Sequence, residues 1–244
     1  MSGLTTLILG IFVLIYGLIN SMISFINLGM ACVLISIILV SMVPQKMMDR
    51  EIHNAITKSN VEFLRKLFLN LDLKGHPLYI PPNSDLKCGA IFVPAKKNFK
   101  INLSAYSQDI VFITNQSSSS EMGVLITPPI GYELLKIYEE TYGKDILELE
   151  SSVLYSLLSN VLYSMDLLTK IDFEDVNNGK ISIKLNKRDF KDLDEYFYLL
   201  PIVSSIILAI SKSKNKIIIF NELVESKNDI EILLSEIGEC YEKN

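Results

Sequence analysis

The sequence predicts an α+β fold in which an N-terminal transmembrane helical hairpin is followed by one mixed α+β soluble domain. The first 45 residues carry no charged side chain, so all 23 Lys and Arg and all 28 Asp and Glu lie in the remainder of the 244-residue chain. Two long apolar runs fill the uncharged part, and the remainder mixes helical periodicity with short apolar runs bounded by turn residues. The predicted domains are the hairpin at 1–45, a membrane-proximal helical segment at 46–74 and the soluble domain at 75–244.

The hairpin prediction rests on the runs "LTTLILGIFVLIYGLIN" and "INLGMACVLISIILVSMV", which place spans at about 4–22 and 26–44. Each run is close to the length that crosses a hydrocarbon core of roughly 30 Å. Their Leu, Ile, Phe and Val residues favour insertion by about −3 to −6 kcal/mol per span, and no charge opposes them. Neither a basic n-region nor a small-residue cleavage site indicates a signal peptide. Gly10, Gly17 and Ser21 have the spacing of small residues that let helices pack closely.

The charges that flank the hairpin predict its orientation. Lys46, Arg50 and Lys58 follow the second span, whereas no Lys or Arg precedes the first span or separates the two. The positive-inside rule then predicts a multi-pass protein of the cell membrane, with everything after Met47 in the cytoplasm. The expected partners are the lipid bilayer and, through the hairpin, a second copy or another membrane protein.

A third uncharged run, from Tyr196 to Ser211, is followed by three lysines. It has only sixteen residues and contains Pro201, and a crossing here would put basic segments on both sides of the membrane. We interpret this run as a helix buried in the core of the soluble domain.

The first half of the soluble part predicts one helix and four strands. Apolar residues recur at helical spacing from Ile52 to Leu71, the capping box Ser59-Asn-Val-Glu62 predicts that a helix starts or restarts there, and Gly75 is expected to end it. The runs "PLYIPP", "GAIFVP", "DIVFIT" and "GVLITPP" are then expected to form strands, with a loop at "NQSSSSE".

The second half predicts an amphipathic helix followed by a hairpin, the buried helix and a final strand pair. The helix runs from Glu150 to Leu168, and its apolar face consists of Val153, Leu154, Leu157, Leu158, Val161, Leu162, Met165 and Leu168. "KIDFEDV" and "KISIKLN" flank Asn177-Asn178-Gly179, where Asn-Gly is a strong hairpin signal. "KIIIFNELV" predicts a strand, and "DIEILLSEIG" predicts a pairing strand in preference to a short helix.

The stretch "GVLITPPIGYELLKIYEE" reads as a strand, a turn and a helix, and its turn supplies the candidate ligand loop Thr127, Pro128, Pro129 and Gly131. The start of a helix offers free N–H groups that can hold an anion. However, this turn has one glycine and no Lys-Ser/Thr, and its prolines remove donors, so it is neither a P-loop nor a dinucleotide fingerprint. We interpret the turn as structural, with ligand contact as the alternative.

The sequence predicts no catalytic residue, no cofactor and no metal site. The only histidines, His53 and His76, are isolated, and the three cysteines form no C-x-x-C pair. Four serines lack the G-x-S-x-G setting of a nucleophile: Ser151, Ser152, Ser204 and Ser205. Two pairs of adjacent acidic residues do not indicate an acid–base pair: Glu139-Glu140 and Asp194-Glu195. The net charge of −5 without a basic stripe argues against nucleic-acid binding.

The segments "YIPP", "FVPAKK", "LITPPIGYELLKIYE" and "LPIVSSIILAISKSKNKIII" resemble those of uncharacterised archaeal membrane proteins with two N-terminal helices and a cytosolic α+β domain. The resemblance implies this architecture and carries no activity over to any residue.

The leading functional hypothesis is a membrane-anchored cytosolic binding or interaction module without evident catalysis. One alternative is a sensor or enzyme that acts on a small membrane-proximal ligand through residues dispersed in the sequence. A second alternative is an accessory subunit of a larger membrane complex. A compact pocket with convergent polar groups would favour the first alternative, and a large exposed apolar patch on the domain would favour the second.

Overall fold

The computed structural model describes residues 2–41, 50–114, 120–176, 179–190 and 196–239. The chain divides into two compact units, Met1–Asp49 and Arg50–Asn244. The first unit is helical, and the second combines helices with one sheet, so the predicted α+β class is correct.

The first unit contains helix α1 (Ser2–Ile19) and helix α2 (Ile23–Ser41), which pack against each other through small residues. A Cβ added to Gly17 would lie 2.7 Å from the backbone nitrogen of Ile26, and one added to Gly29 would lie 2.6 Å from that of Leu14. Ser21, predicted as a packing residue, instead lies exposed in the turn between the helices with φ of 54°. The close packing that was predicted for Ser21 is therefore provided by glycines.

Most large side chains of α1 and α2 point outwards; Phe12, for example, is 71% exposed. None of the helices in the described residues combines the length and apolarity needed to cross a membrane. The end of the second predicted span, residues 42–44, lies outside the described part of the chain.

The second unit begins with helix α3 (Arg50–Asn70). The helix is continuous through Ser59, so the predicted start or restart at this residue is wrong, and the helix ends before Gly75. An apolar face that includes Leu64, Leu67 and Phe68 packs on the core, and such packing outweighs a local capping signal.

The described residues of the second unit form a sheet of eight strands. They are β1 (Leu78–Ile80), β2 (Ala90–Pro94), β3 (Phe112–Ile113), β4 (Gly123–Ile126), β5 (Ile171–Val176), β6 (Lys180–Asn186), β7 (Lys216–Glu225) and β8 (Asp229–Glu239). Their order across the sheet is β3-β4-β2-β1-β7-β8-β6-β5, and neighbouring strands are antiparallel. The predicted strands are confirmed, including the β5–β6 hairpin and the pairing of β8 with β7, although residues 115–119 of the predicted loop and 177–178 of the hairpin turn lie outside the described ranges.

The other helices of the second unit are α4 (Tyr132–Tyr142), α5 (Ser151–Ser164) and α6 (Pro201–Lys214). All but one of the residues from Val203 to Ser213 are buried, which confirms the prediction of a helix in the core, although the helix begins at Pro201 and not at Tyr196. The helix predicted from Glu150 to Leu168 is shorter than expected, because α5 ends at Ser164. The predicted apolar residues are buried or half-buried except Val153, which is exposed.

Apolar side chains form one core on the helix side of the sheet, where residues of α3, α4, α5 and α6 meet the strands. A second core lies on strands β1 to β4, where Leu78, Phe92 and Leu125 pack with Tyr106. On β5, β6 and β8 the outward face is polar. There Lys184 lies 3.2 Å from Glu174 and 3.9 Å from Glu231.

Candidate functional site

The turn that follows β4 packs against the start of α6. The hydroxyl of Thr127 donates to the carbonyl of Gly89 at 3.2 Å, and the Ser204 hydroxyl donates to the carbonyl of Ile130. The Tyr132 N–H donates to the carbonyl of Pro129 at 3.1 Å, which closes the turn at the start of α4. These contacts bind the turn to the residue before β2 on one side and to α6 on the other.

Gly131 is the residue of this turn at which a side chain is least tolerated. Its φ is 85°, and an added Cβ would lie 2.5 Å from the carbonyl oxygen of Pro201 and 2.6 Å from the backbone nitrogen of Ser205. Both the left-handed conformation and the close approach exclude a side chain. The start of α6 therefore packs directly against Gly131, which favours the structural interpretation, while ligand contact by Thr127, Pro128, Pro129 and Gly131 stays a prediction.

The serines that the sequence singled out serve α6 and its neighbours. The Ser205 hydroxyl is 2.8 Å from the buried Tyr138 hydroxyl and 2.8 Å from the carbonyl of Ile202. Burial raises the pKa of Tyr138, so this phenol stays protonated and available as a donor. The arrangement fastens α4 to α6.

A small group of reactive side chains lies next to the candidate loop. The pKa of Tyr132 is raised to about 12; a hydrogen bond with Cys88 is the larger cause and burial the second. The Lys136 ammonium lies 4.8 Å from the centroid of the Tyr132 ring. Cys88 has a free thiol and is half-buried. This trio holds the start of α4 against the β1–β2 connection.

Most of the other acidic residues, histidines and cysteines considered as candidates either pair with a neighbouring side chain or lie outside the described part of the chain. Glu139 pairs with Lys212, which also lies 3.1 Å from Asp145. The described residues contain no cluster of three His, Cys, Asp or Glu side chains that could hold a metal ion. The side chain of His53 and residues Asp194, Glu195 and Cys240 are outside the described part.

A half-buried ionic cluster joins β5, β7 and β8 to the end of α6. Glu236 accepts hydrogen bonds from Lys214 at 2.9 Å and Lys216 at 2.8 Å. Burial works to raise the pKa of Glu236, but the two lysines together outweigh it and lower the pKa. Nearby, the Tyr155 hydroxyl donates to Asp175 at 2.7 Å, and its ring stacks on Phe173 with centroids 4.4 Å apart. Each charge has a partner, so the cluster is a structural tie.

The described part of the second unit also contains a cleft of about 680 Å³ between the end of α3 and strand β7. Its volume is within the range of small-molecule sites. Apolar side chains from α3, β7 and the segment before α6 form part of the lining: Phe68, Leu69, Leu73, Tyr196, Tyr198, Phe220 and Leu223. Charged and polar side chains form the rest: Asp72, Lys74, His76, Lys97, Asn221, Glu222 and Glu225.

Charges of both signs line this cleft. The basic residues are Lys74 and Lys97, the acidic ones are Asp72, Glu222 and Glu225, and the Glu225 carboxylate also lies 2.7 Å from the Lys187 ammonium. Lys74 is paired with Asp72 at 2.8 Å, but both side chains are largely exposed. The cleft therefore offers both basic and acidic groups to a ligand.

The sequence did not single out this cleft, except that His76 was noted as isolated. Its residues come from four segments that are far apart in the chain, and none of these segments has a motif. One local signal was present, because "FNELVE" continues the β7 strand well beyond the length of "LYI" in β1. Unequal neighbouring strands leave an unpaired stretch, which pattern analysis alone does not locate.

A comparison with family models places residues 3–219 in a domain of unknown function, DUF7982. The match covers both units and most of the chain, so the protein belongs to this family. No curated protein and no solved structure matches the chain.

Proposed function

We propose that the protein is a membrane-anchored binding module, in which the α1–α2 hairpin lies in the bilayer and the second unit binds a partner in the cytoplasm. The observation that carries the anchor is the surface of the hairpin. Its outward side chains are large and apolar on both helices: Ile8, Leu9, Ile11, Phe12, Ile15, Tyr16, Leu18, Ile19, Met22, Ile23, Phe25, Leu28, Met30, Leu34, Ile35, Ile37 and Ile38.

Such a surface is unstable in water. Monomeric soluble proteins rarely expose contiguous apolar patches larger than a few hundred Å². Burial of apolar surface stabilises by about 25 cal/mol per Å², so covering this hairpin is strongly favourable. The absence of charge before Lys46 makes a bilayer a suitable cover, and the lysine and arginine that follow support a cytoplasmic second unit.

Membrane fractionation tests the anchor. The full chain should stay in the membrane pellet after an alkaline wash and should be released by detergent. A variant that lacks residues 1–45 serves as the matched control and should move to the soluble fraction. Recovery of the intact chain as a soluble species would contradict the proposal.

Cysteine labelling tests the orientation. A single cysteine introduced at Asn115, in a background without the native cysteines, should react with an impermeant reagent only after the cells are opened. Labelling in intact cells would place the second unit outside and overturn the cytoplasmic assignment.

The cleft favours a second candidate function, that of a sensor for a small ligand near the membrane. Its mixed lining brings basic and acidic groups together over an apolar floor. Mass spectrometry of the native protein in detergent would test this candidate. A small molecule that is retained by the wild-type chain and lost in a Lys97→Glu variant would support a sensor over a module that binds macromolecules.

A further inference from the structure

Strand β7 is much longer than the strand beside it. β1 has three residues and pairs with β7 only at Leu78↔Ile219 and Tyr79↔Ile218. The Phe220 N–H then donates to the carbonyl of Pro77 at 3.0 Å, and this is the last hydrogen bond between the described backbone of β7 and the segment leading into β1. Beyond it, β7 continues to Glu225 while paired on its other side with β8.

The segment that precedes β1 turns away from β7. The N–H groups of Lys74 and Gly75 donate to Ala95 and Pro94, next to β2, at 3.3 and 3.0 Å. The cleft occupies the position that a longer β1 would fill, and among the described residues no strand pairs with β7 there. We use the term open edge for residues Asn221–Glu225 on this side of β7.

The register of the β7–β8 hairpin shows which backbone groups face the open edge. The Ser226 N–H donates to the carbonyl of Asp229 at 2.9 Å, and the next pair in the ladder is Glu225↔Ile230. Antiparallel strands alternate between hydrogen-bonded and non-hydrogen-bonded pairs. Val224 and Glu222 therefore bond to β8, whereas the N–H and C=O groups of Leu223 and Glu225 point into the cleft.

We propose that the open edge binds an extended peptide segment of a partner protein as an additional strand. This inference rests on the proposed role as a binding module and names its class of partner. An unpaired edge provides main-chain hydrogen bonds for an added strand, and flanking side chains select the peptide's residues. Here the cleft walls from α3 and the segment before α6 would enclose one side of that strand.

The charges predict the direction and composition of the peptide. A strand antiparallel to β7 places its N-terminal end beside Glu225, whose carboxylate also lies 2.7 Å from Lys187, and its C-terminal end toward His76, next to the Pro77 carbonyl that accepts from Phe220. This direction sets a positive end beside Glu225 and a negative end toward His76. The residue opposite Leu223 faces the apolar wall, and the residue opposite Glu222 is expected to be basic.

The test uses the full chain in detergent and the synthetic peptide KTVKIE, which follows this pattern. Fluorescence anisotropy of the labelled peptide should report saturable binding. A peptide with reversed charges, ETVEIK, should bind at least tenfold more weakly. A KTVKIE peptide that is N-methylated at its valine should also lose about tenfold, because one main-chain hydrogen bond is removed. Equal binding of the three peptides would overturn the proposal.

A pair of variants separates the backbone from the side chain. Glu225→Pro removes an N–H that faces the cleft and leaves the ladder with β8, whereas Glu225→Ala keeps that N–H. The proline variant should bind KTVKIE at least tenfold more weakly than the alanine variant. Equal binding by two folded variants, as judged by their thermal unfolding, would contradict the proposal.

Hydrogen exchange decides the matter if the proline variant does not fold. KTVKIE should slow exchange in residues 221–226 of the wild-type chain and leave the other long edge strand, β5, unchanged. Slowed exchange in 221–226 that depends on protein concentration without peptide would indicate pairing between copies and would contradict a peptide partner. A chain that stays in membranes but ignores the peptide would refute this inference alone and leave the anchor intact.

Discussion

The two units of this protein distribute apolar and small residues in opposite ways. In the hairpin, large apolar side chains lie outside, and the buried positions among residues 5–38 are Gly10, Gly17, Gly29 and Ser36. In the second unit, large apolar side chains such as Tyr79 and Phe92 are buried, and charged residues occupy much of the surface. Burial of apolar area is stabilising, so the second unit is stabilised by its own core, whereas the hairpin leaves most of its large apolar side chains exposed.

The largest effect is expected from Gly131→Val in the second unit. The added side chain would meet the α6 backbone and would hold φ in the left-handed region, so the free energy of unfolding should fall by about 2–5 kcal/mol. Urea unfolding of the full chain in detergent, followed by near-ultraviolet circular dichroism, measures this change.

Gly143→Ala is the matched control. Its φ is 78°, but no atom lies within 4 Å of the added Cβ, so only the backbone conformation is penalised, by about 1–2 kcal/mol. Equal losses from the two variants would show that close packing at Gly131 contributes nothing. A stable Gly131→Val chain that loses a bound anion would instead make the turn a ligand site.

The next prediction compares a Phe→Asp substitution in the hairpin with one in the second unit. Phe12 and Phe63 are similarly exposed, at 71% and 67%. Phe12→Asp should oppose membrane insertion by about 2.5–3.5 kcal/mol, whereas Phe63→Asp should change stability by less than about 0.5 kcal/mol. The fraction of chain retained in membranes after an alkaline wash measures the first effect, and thermal unfolding measures the second. Full retention of the Phe12→Asp chain would contradict a bilayer environment for the hairpin.

The sequence predicts those parts of the architecture whose signals lie within a single helix, strand or turn. The β5–β6 hairpin follows from Asn178-Gly179, and the burial of α6 follows from its uncharged run, because each signal lies within one element. The restart at Ser59 was predicted wrongly, since contacts with distant segments decide where α3 is continuous. The open edge of β7 was not predicted for the same reason: it depends on where the chain before β1 turns.

A smaller effect concerns the ionic cluster around Glu236. Glu236→Gln should cost about 1–2 kcal/mol at pH 7, because hydrogen bonds from two lysines lose their charged acceptor. The pKa of Glu236 is lowered in the folded chain, so its stabilisation is present above the ordinary glutamate pKa and is lost as the pH falls through the lowered value. Wild-type stability should therefore decline more steeply below about pH 4 than that of the variant. Identical acid limbs in urea unfolding would exclude this role.

The smallest effect is expected from Thr127→Ala. The substitution removes one hydrogen bond to the Gly89 carbonyl, and the free energy of unfolding should fall by about 0.5–1 kcal/mol. A shift in the urea midpoint without a change in slope measures it. Unchanged stability together with lost ligand binding would favour a functional role for the hydroxyl.

The environment of the hairpin is measured most directly with a single tryptophan, because the chain contains none. Phe12→Trp and, as a control in the second unit, Tyr142→Trp are each reconstituted into vesicles whose lipids carry bromine on the acyl chains. A hairpin within the bilayer predicts blue-shifted emission and strong quenching for Phe12→Trp, and red-shifted, unquenched emission for Tyr142→Trp. Unquenched emission from both tryptophans would contradict the proposed membrane anchor.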